Sequence, residues 1–210
     1  MKGIIFSSES VRAILDDRKT QIRRVIKPQP ERCKGTWNGG HECYRWRKRE
    51  YWDNDGPCFP SRQIAEFAPH KKGEELYVKE TWGERDDPNG NTHFVYLSEY
   101  DASECEWAPT NRWRSPMSMQ KDAARLFLRI TDVRVERLQG ISEKDAQAEG
   151  AYSLGNPLMP QMGASYRLGF SLLWDEINGK KKGFAWDDNP FVFVYEFEVV
   201  EKPESEGENE

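Results

Sequence analysis

SESVRAILDDRKTQIRRVIK, residues 8–27, is the stretch whose reading decides the fold. Val11, Ile14 and Leu15 recur at i, i+3 and i+4, and Ser7 and Ser8 precede them as caps. The spacing predicts a short helix over 8–17 with one buried stripe. Residues 18–27 change period. Thr20, Ile22, Arg24 and Ile26 point one way; Lys19, Gln21, Arg23 and Val25 point the other. That is a strand, ended by Pro28 and Pro30. A helix that turns directly into a strand through Asp16, Asp17 and Arg18 excludes an all-helical or all-β chain.

The same two periods continue outward. Gly3–Phe6 reads as a short apolar strand. Leu76, Val78, Glu80 and Trp82 share one face of a strand over 76–82. DDPNGN, residues 86–91, is a strong turn signal, followed by a strand over 93–97. A short helical piece near 119–124 leads into strands over 126–131 and 133–138. Ser142-Glu143-Lys144-Asp145 opens a capped helix over 142–149 that Gly150 stops. Leu168, Leu172, Leu173 and Ile177 have helical spacing within 165–177, and residues 190–200 are mostly β-branched and aromatic. Residues 31–73 and 98–118 show no sustained period and read as polar insertions in one domain spanning 1–200. The acidic tail, 201–210, reads as disordered. Strands outnumber helices, and the connections are too irregular for repeated βαβ units. The fold class is α+β, built on a small, mostly antiparallel barrel with short flanking helices.

The chain has 210 residues and a net charge of −5. Leu, Ile, Val and Phe make up about 19% of it, at the edge of the disordered range. Eight Trp and eight Tyr offset that deficit, because each buries a large apolar area. No apolar run approaches the roughly 20 residues a bilayer needs, and the N-terminus has too short an apolar stretch for a secretory signal. Four cysteines (Cys33, Cys43, Cys58, Cys105) without paired spacing fit a reducing cytoplasm. Cys33, His41, Cys43 and Cys58 share one polar stretch but lack the Cys-x-x-Cys spacing of a structural zinc site. Unrelated thiols are the reading preferred, with no metal and no cofactor. Residues 1–49 carry 13 basic against 5 acidic side chains. An acidic protein of this kind is no nonspecific nucleic-acid coat, yet it holds a local basic region.

Four pieces in order resemble the ASCH family of PUA-like β-barrel domains, in the form common in bacteriophage and prophage genomes. They are Ala13–Arg24; Leu76-Tyr77-Val78-Lys79-Glu80-Thr81-Trp82; Ile130–Leu138 followed by Ile141-Ser142-Glu143 and Ala148-Glu149-Gly150; and Leu173–Gly179 with the closing strand from Asn189. The family's turn has Gly two residues before the Lys, where this chain has Asp17, a residue that tolerates a left-handed conformation better than most.

The resemblance implies a pocket for RNA or a modified nucleotide, with Lys19, Thr20, Gln21, Arg23, Arg24, Glu80 and Trp82 as its contacts. Lys19 and Arg23 suit phosphate oxygens. Trp82 offers a stacking plane, and Glu80 an acceptor for a base edge. The structural alternatives are a core Trp82 and a buried Glu80–Arg24 ion pair. Some relatives are enzymes. The acylcytidine amidohydrolase of the family uses a Lys, a Thr and a Glu, which fall on Lys19, Ile22 and Glu149. Isoleucine is no nucleophile. A binding module is therefore preferred to a hydrolase or ribonuclease working through Lys19 and Glu149. A phage morphogenesis or interaction protein is a third reading.

Overall fold

The computed structural model describes residues 1–37, 41–45, 64–100, 109, 112–155 and 163–203. In chain order the elements are β1 (Lys2–Ile5), α1 (Ser8–Leu15), β2 (Gln21–Val25), β3 (Glu31–Trp37), β4 (His41–Arg45), β5 (Glu75–Lys79), β6 (Trp82–Asp86), β7 (Thr92–Tyr96), β8 (Phe127–Arg137), α2 (Glu143–Ala148), β9 (Leu154–Gly155), β10 (Ala164–Ser165), α3 (Tyr166–Asn178) and β11 (Phe191–Val200). The chain divides into two compact units. The first holds Met1–Asp17, Gly73–Ile130 and Phe197–Glu210; the second holds Arg18–Lys72 and Thr131–Glu196.

In the first unit β1 runs parallel to β5, and β5 antiparallel to β8. The Ser7 hydroxyl caps α1 by accepting the Ser10 N–H at 3.2 Å, and Val11, Ala13 and Ile14 are the side chains it buries. Leu15, expected in the stripe, is exposed. β6 and β7 form a hairpin whose turn is closed by Asp87 N–H donating to the Asn91 carbonyl at 2.8 Å. Gly90 takes a φ of 85° there, a value glycine adopts without steric cost. The expected alternation over 76–82 holds: Leu76, Val78, Glu80 and Trp82 are all buried. The strand nevertheless breaks at Glu80 and Thr81, so one expected strand is two. Trp82, Met119, Ala123, Ala124 and Phe127 make the core.

In the second unit β11 pairs antiparallel with β2, from Val192↔Val25 to Glu196↔Gln21. Its core gathers Leu138, Ile141, Ala146, Ala151, Phe170, Trp174, Val192 and Val194. Two expectations change. Residues 127–137 form one eleven-residue strand where two were expected. The stretch 31–73, expected to be irregular, contains the antiparallel pair β3–β4, with a register shift between Arg32 and Thr36. Of the acidic tail, residues 204–210 lie outside the described residues.

The molecule is a mixed α+β fold, mostly antiparallel, with strand orders β1-β5-β8 and β8-β11-β2 in the two units. No pairing among the described residues closes either run into a barrel. No helix among them is long and apolar enough to cross a membrane.

Candidate functional site

β2 and its flanks bury side chains on both faces. Ile22 and Ile26 are buried on one; on the other, Lys19, Gln21 and Arg23 are only 6%, 7% and 4% exposed. Three polar side chains in a row on a buried face must find partners, and α2 supplies the first. Ser142 starts that helix by accepting the Asp145 N–H at 3.0 Å. Glu149 ends it, before Gly150 turns the chain with a φ of 79°. Lys19 forms a backbone bridge with Glu149, and Thr20 N–H donates to the Ala148 carbonyl at 2.8 Å.

That bridge sets the side chains. Lys19 Nζ donates to Glu149 Oε2 at 2.9 Å and to the Glu149 carbonyl at 2.6 Å. Arg23 Nη1 donates to Glu149 Oε1 at 3.0 Å, and Nη2 to Glu136 Oε2 at 3.2 Å. One carboxylate, 4% exposed, thus joins two buried cations. A rim surrounds it. Arg134 donates to Glu136 at 2.6 Å, to Asp145 at 3.1 Å and to Glu196. Gln21 Nε2 donates to Asp145 at 2.9 Å and to Glu196 at 3.2 Å. Burial pushes the Asp145 carboxyl upward, but the hydrogen bonds from Gln21 and Ser142 and the charges of Arg134 and Arg23 outweigh it and hold it low. Burial likewise opposes the charge on Arg134, yet Glu136 and Glu196 raise its pKa overall. Arg23 Nε is buried with no acceptor among the described residues.

Of the expected contacts, Lys19, Thr20, Gln21, Arg23 and Arg24 belong to the second unit, and Glu80 and Trp82 to the first. The structure brings Lys19, Gln21, Arg23 and Glu149 together. Thr20 and Arg24 are exposed. Ile22, at the position of the family's Thr, is buried on the opposite face of β2.

Glu80 is 1% exposed, and its carboxylate is held by Ser98 and by Arg125 Nε at 3.0 Å. Its arginine is thus Arg125, which lies outside every motif read from the sequence. Arg125 stacks 4.1 Å from the centre of the Tyr96 ring, and burial depresses its pKa less than Glu80 and Glu99 raise it. Trp82 does not present the open plane expected of a stacking platform. It sits in the core at 5% exposure, edge-on to Phe94, with the Arg114 guanidinium 4.8 Å above its ring. Arg114 also makes a two-pronged ion pair with Glu84, at 3.0 and 2.6 Å. These side chains are 40% and 34% exposed, where such a pair contributes about 0–1 kcal/mol.

Cys33 stands on β3 and His41 and Cys43 on the paired β4, while Cys58 lies outside the described residues. Among the described residues no group of three His, Cys, Asp or Glu is placed to hold a metal ion.

No family model and no curated protein matches this chain. Among solved structures it is similar to the crystal structure of protein EF3133 from Enterococcus faecalis V583, of the family DUF984. Identity is 12% and the TM-score 0.41, over 100% of this chain and 87% of that one. That degree of likeness bears on neither the site nor its chemistry.

The residues the sequence reading missed are Glu136, Asp145, Arg134 and Glu196 around the first cluster, and Ser98, Arg125 and Arg114 around Glu80 and Trp82. A signal existed for some. Glu196 interrupts an apolar strand, and Arg134 and Glu136 alternate on another; charges so placed call for partners across a sheet.

Proposed function

We propose that this protein is an ASCH-family member with a PUA-like barrel fold, of phage or prophage type, working in the cytoplasm of a bacterial host. In this reading it binds a nucleobase, in RNA or in a modified nucleotide, at the cluster around Glu149. The observation that carries it is the buried polar face of β2, where Lys19, Gln21 and Arg23 meet Glu149. A strand that only held the core together would gain from apolar residues there, since a buried ion pair is weak evidence for stability.

The charge balance refines what the ligand presents. Lys19, Arg23 and Arg134 face Glu136, Asp145, Glu149 and Glu196, so the cations are already answered. A phosphate arriving there meets net negative charge. A base edge with N–H donors meets the partly exposed carboxylates of Glu136 and Asp145. This replaces the phosphate role that the sequence offers for Lys19 and Arg23.

The test is a calorimetric titration of the full chain with single-stranded RNA and with modified nucleosides. Binding weaker by about tenfold or more in Glu149→Gln, and in the charge-balanced Lys19→Met/Glu149→Gln, is the expected result, with melting curves showing both variants folded. Folded variants that bind every ligand as well as the parent would sink the reading.

One contact favours a second reading. Lys19 and Glu149 meet at 2.9 Å, the pair a hydrolase of this family would use on water in the absence of a Thr nucleophile. Incubation with acylated cytidines and with RNA, followed by mass, decides it. Turnover lost in both Lys19→Ala and Glu149→Gln establishes the hydrolase; no turnover with any substrate removes it.

A further inference from the structure

The face of the β6–β7 hairpin that carries Trp82 also carries Glu84 and Phe94. The register pairs Trp82 with Tyr96 and Glu84 with Phe94, and residues two apart on a strand share a face. An indole, a phenyl ring and a carboxylate are therefore neighbours on one surface. Phe94 stands edge-on to Trp82 at 5.7 Å. The chain's own Arg114 occupies that surface. Its guanidinium carbon lies over the indole, 4.8 Å from the ring centre, and its two terminal nitrogens donate to the two oxygens of Glu84 at 3.0 and 2.6 Å. The Arg114 backbone is fixed by its bridge to Trp82, through hydrogen bonds of 2.7 and 3.3 Å. Its side chain is 40% exposed, so the guanidinium can leave the ring without disturbing that bridge.

The group such a surface takes is planar, stacks on an indole, and presents two adjacent N–H donors to a carboxylate. Among the standard bases guanine alone has that edge, with N1–H beside the exocyclic N2–H. Adenine and cytosine place a ring acceptor beside their amino group, and uracil flanks its one N–H with two carbonyls. Base stacking on an aromatic side chain is of the same order as the exposed ion pair and ring contact it would replace.

We propose that the Trp82–Glu84–Phe94 face is a guanine-binding site, and that the Arg114 guanidinium is its displaceable occupant. The proposal rests on the nucleic-acid reading above but on different residues, so the two can fail separately.

The experiment titrates the parent, Arg114→Ala and Arg114→Ala/Glu84→Gln with guanosine, inosine and adenosine, following heat. Arg114→Gln stands in if Arg114→Ala loses its melting transition. The open variant should bind guanosine about tenfold more tightly than the parent does. It should prefer guanosine to inosine, which lacks the 2-amino group, by about tenfold. The added Glu84→Gln should abolish the preference. No gain in guanosine affinity on opening, an equal gain for inosine or adenosine, or a preference that survives Glu84→Gln overturns the proposal. So does binding of methylguanidine without guanosine. Guanosine preference retained in Glu149→Gln assigns it to this face; preference lost there, and kept in Glu84→Gln, assigns it to the Glu149 cluster and overturns the proposal.

Discussion

Asp17 holds a φ of 55°, in the left-handed region that few residues other than glycine enter. It closes α1 by donating its N–H to the Ile14 carbonyl at 3.0 Å, and the next two residues bring Lys19 to Glu149. The short polar side chain of Asp bears this conformation; a β-branched one does not. Asp17→Gly should therefore stay within about 0.5 kcal/mol of the parent in urea denaturation, because relieved strain offsets the entropy glycine adds to the unfolded chain. Asp17→Val should lose about 1–2 kcal/mol. Equal stability of the two variants would show that the turn carries no strain. This residue was legible through the family resemblance, whose turn has Gly at this position, and its conformation depends on neighbours within a few positions. Trp82 was not. Its burial is set by Phe94 at its edge, by Met119, Ala123, Ala124 and Phe127 and by Arg114 above it, all but Phe94 at least 32 positions away.

α3 shows how an element can be found and its face misread. Its span agrees with the sequence, and the structure adds a cap, the Ser165 hydroxyl accepting the Leu168 N–H at 3.2 Å. The leucine spacing pointed to Leu168, Leu172, Leu173 and Ile177 as the buried stripe. The buried residues are Gly169, Phe170 and Trp174, while Leu172 and Ile177 are 57% and 55% exposed. Two aromatic rings one turn apart bury more area than the leucines, and the helix rotates to cover them. Gly169 permits this approach, since a Cβ there would lie 1.9 Å from the Tyr152 carbonyl oxygen. Phe170→Ala should then cost about 3–4 kcal/mol, and Leu172→Ser should stay within about 0.5 kcal/mol. Denaturant midpoints read both, and the reverse ranking would restore the leucine stripe. The β3–β4 pair escaped notice for a related reason. Gly35 and the register shift beside it break the alternation on which strand reading depends.

For the molecule as a whole, the buried charges make stability depend on pH. Burial pushes the Tyr96 hydroxyl up to about 12, with Glu80 and Glu99 adding to the shift and Arg125 opposing it. A phenol titrates near 10 when unfolded. The contribution is fully present below pH 10 and is lost as pH rises through about 12, because the unfolded chain releases its proton first. The melting temperature of the parent should fall more steeply between pH 10 and 12 than that of Tyr96→Phe. Parallel curves would show that this phenol does not couple to folding. By itself the sequence determined the α+β class, most helices and strands, the turn at Asp17, and the alternation that puts Lys19, Gln21 and Arg23 on one face. These follow from torsional preferences and periodicity, which act over a few residues. Tertiary structure alone decided that this polar face is buried, that Arg23 shares the Glu149 carboxylate with Lys19, that Arg125 answers Glu80, and that Arg114 covers Trp82. Such choices depend on which charges are withdrawn from water together, and a buried charge is stabilised only by the partner that packing brings to it.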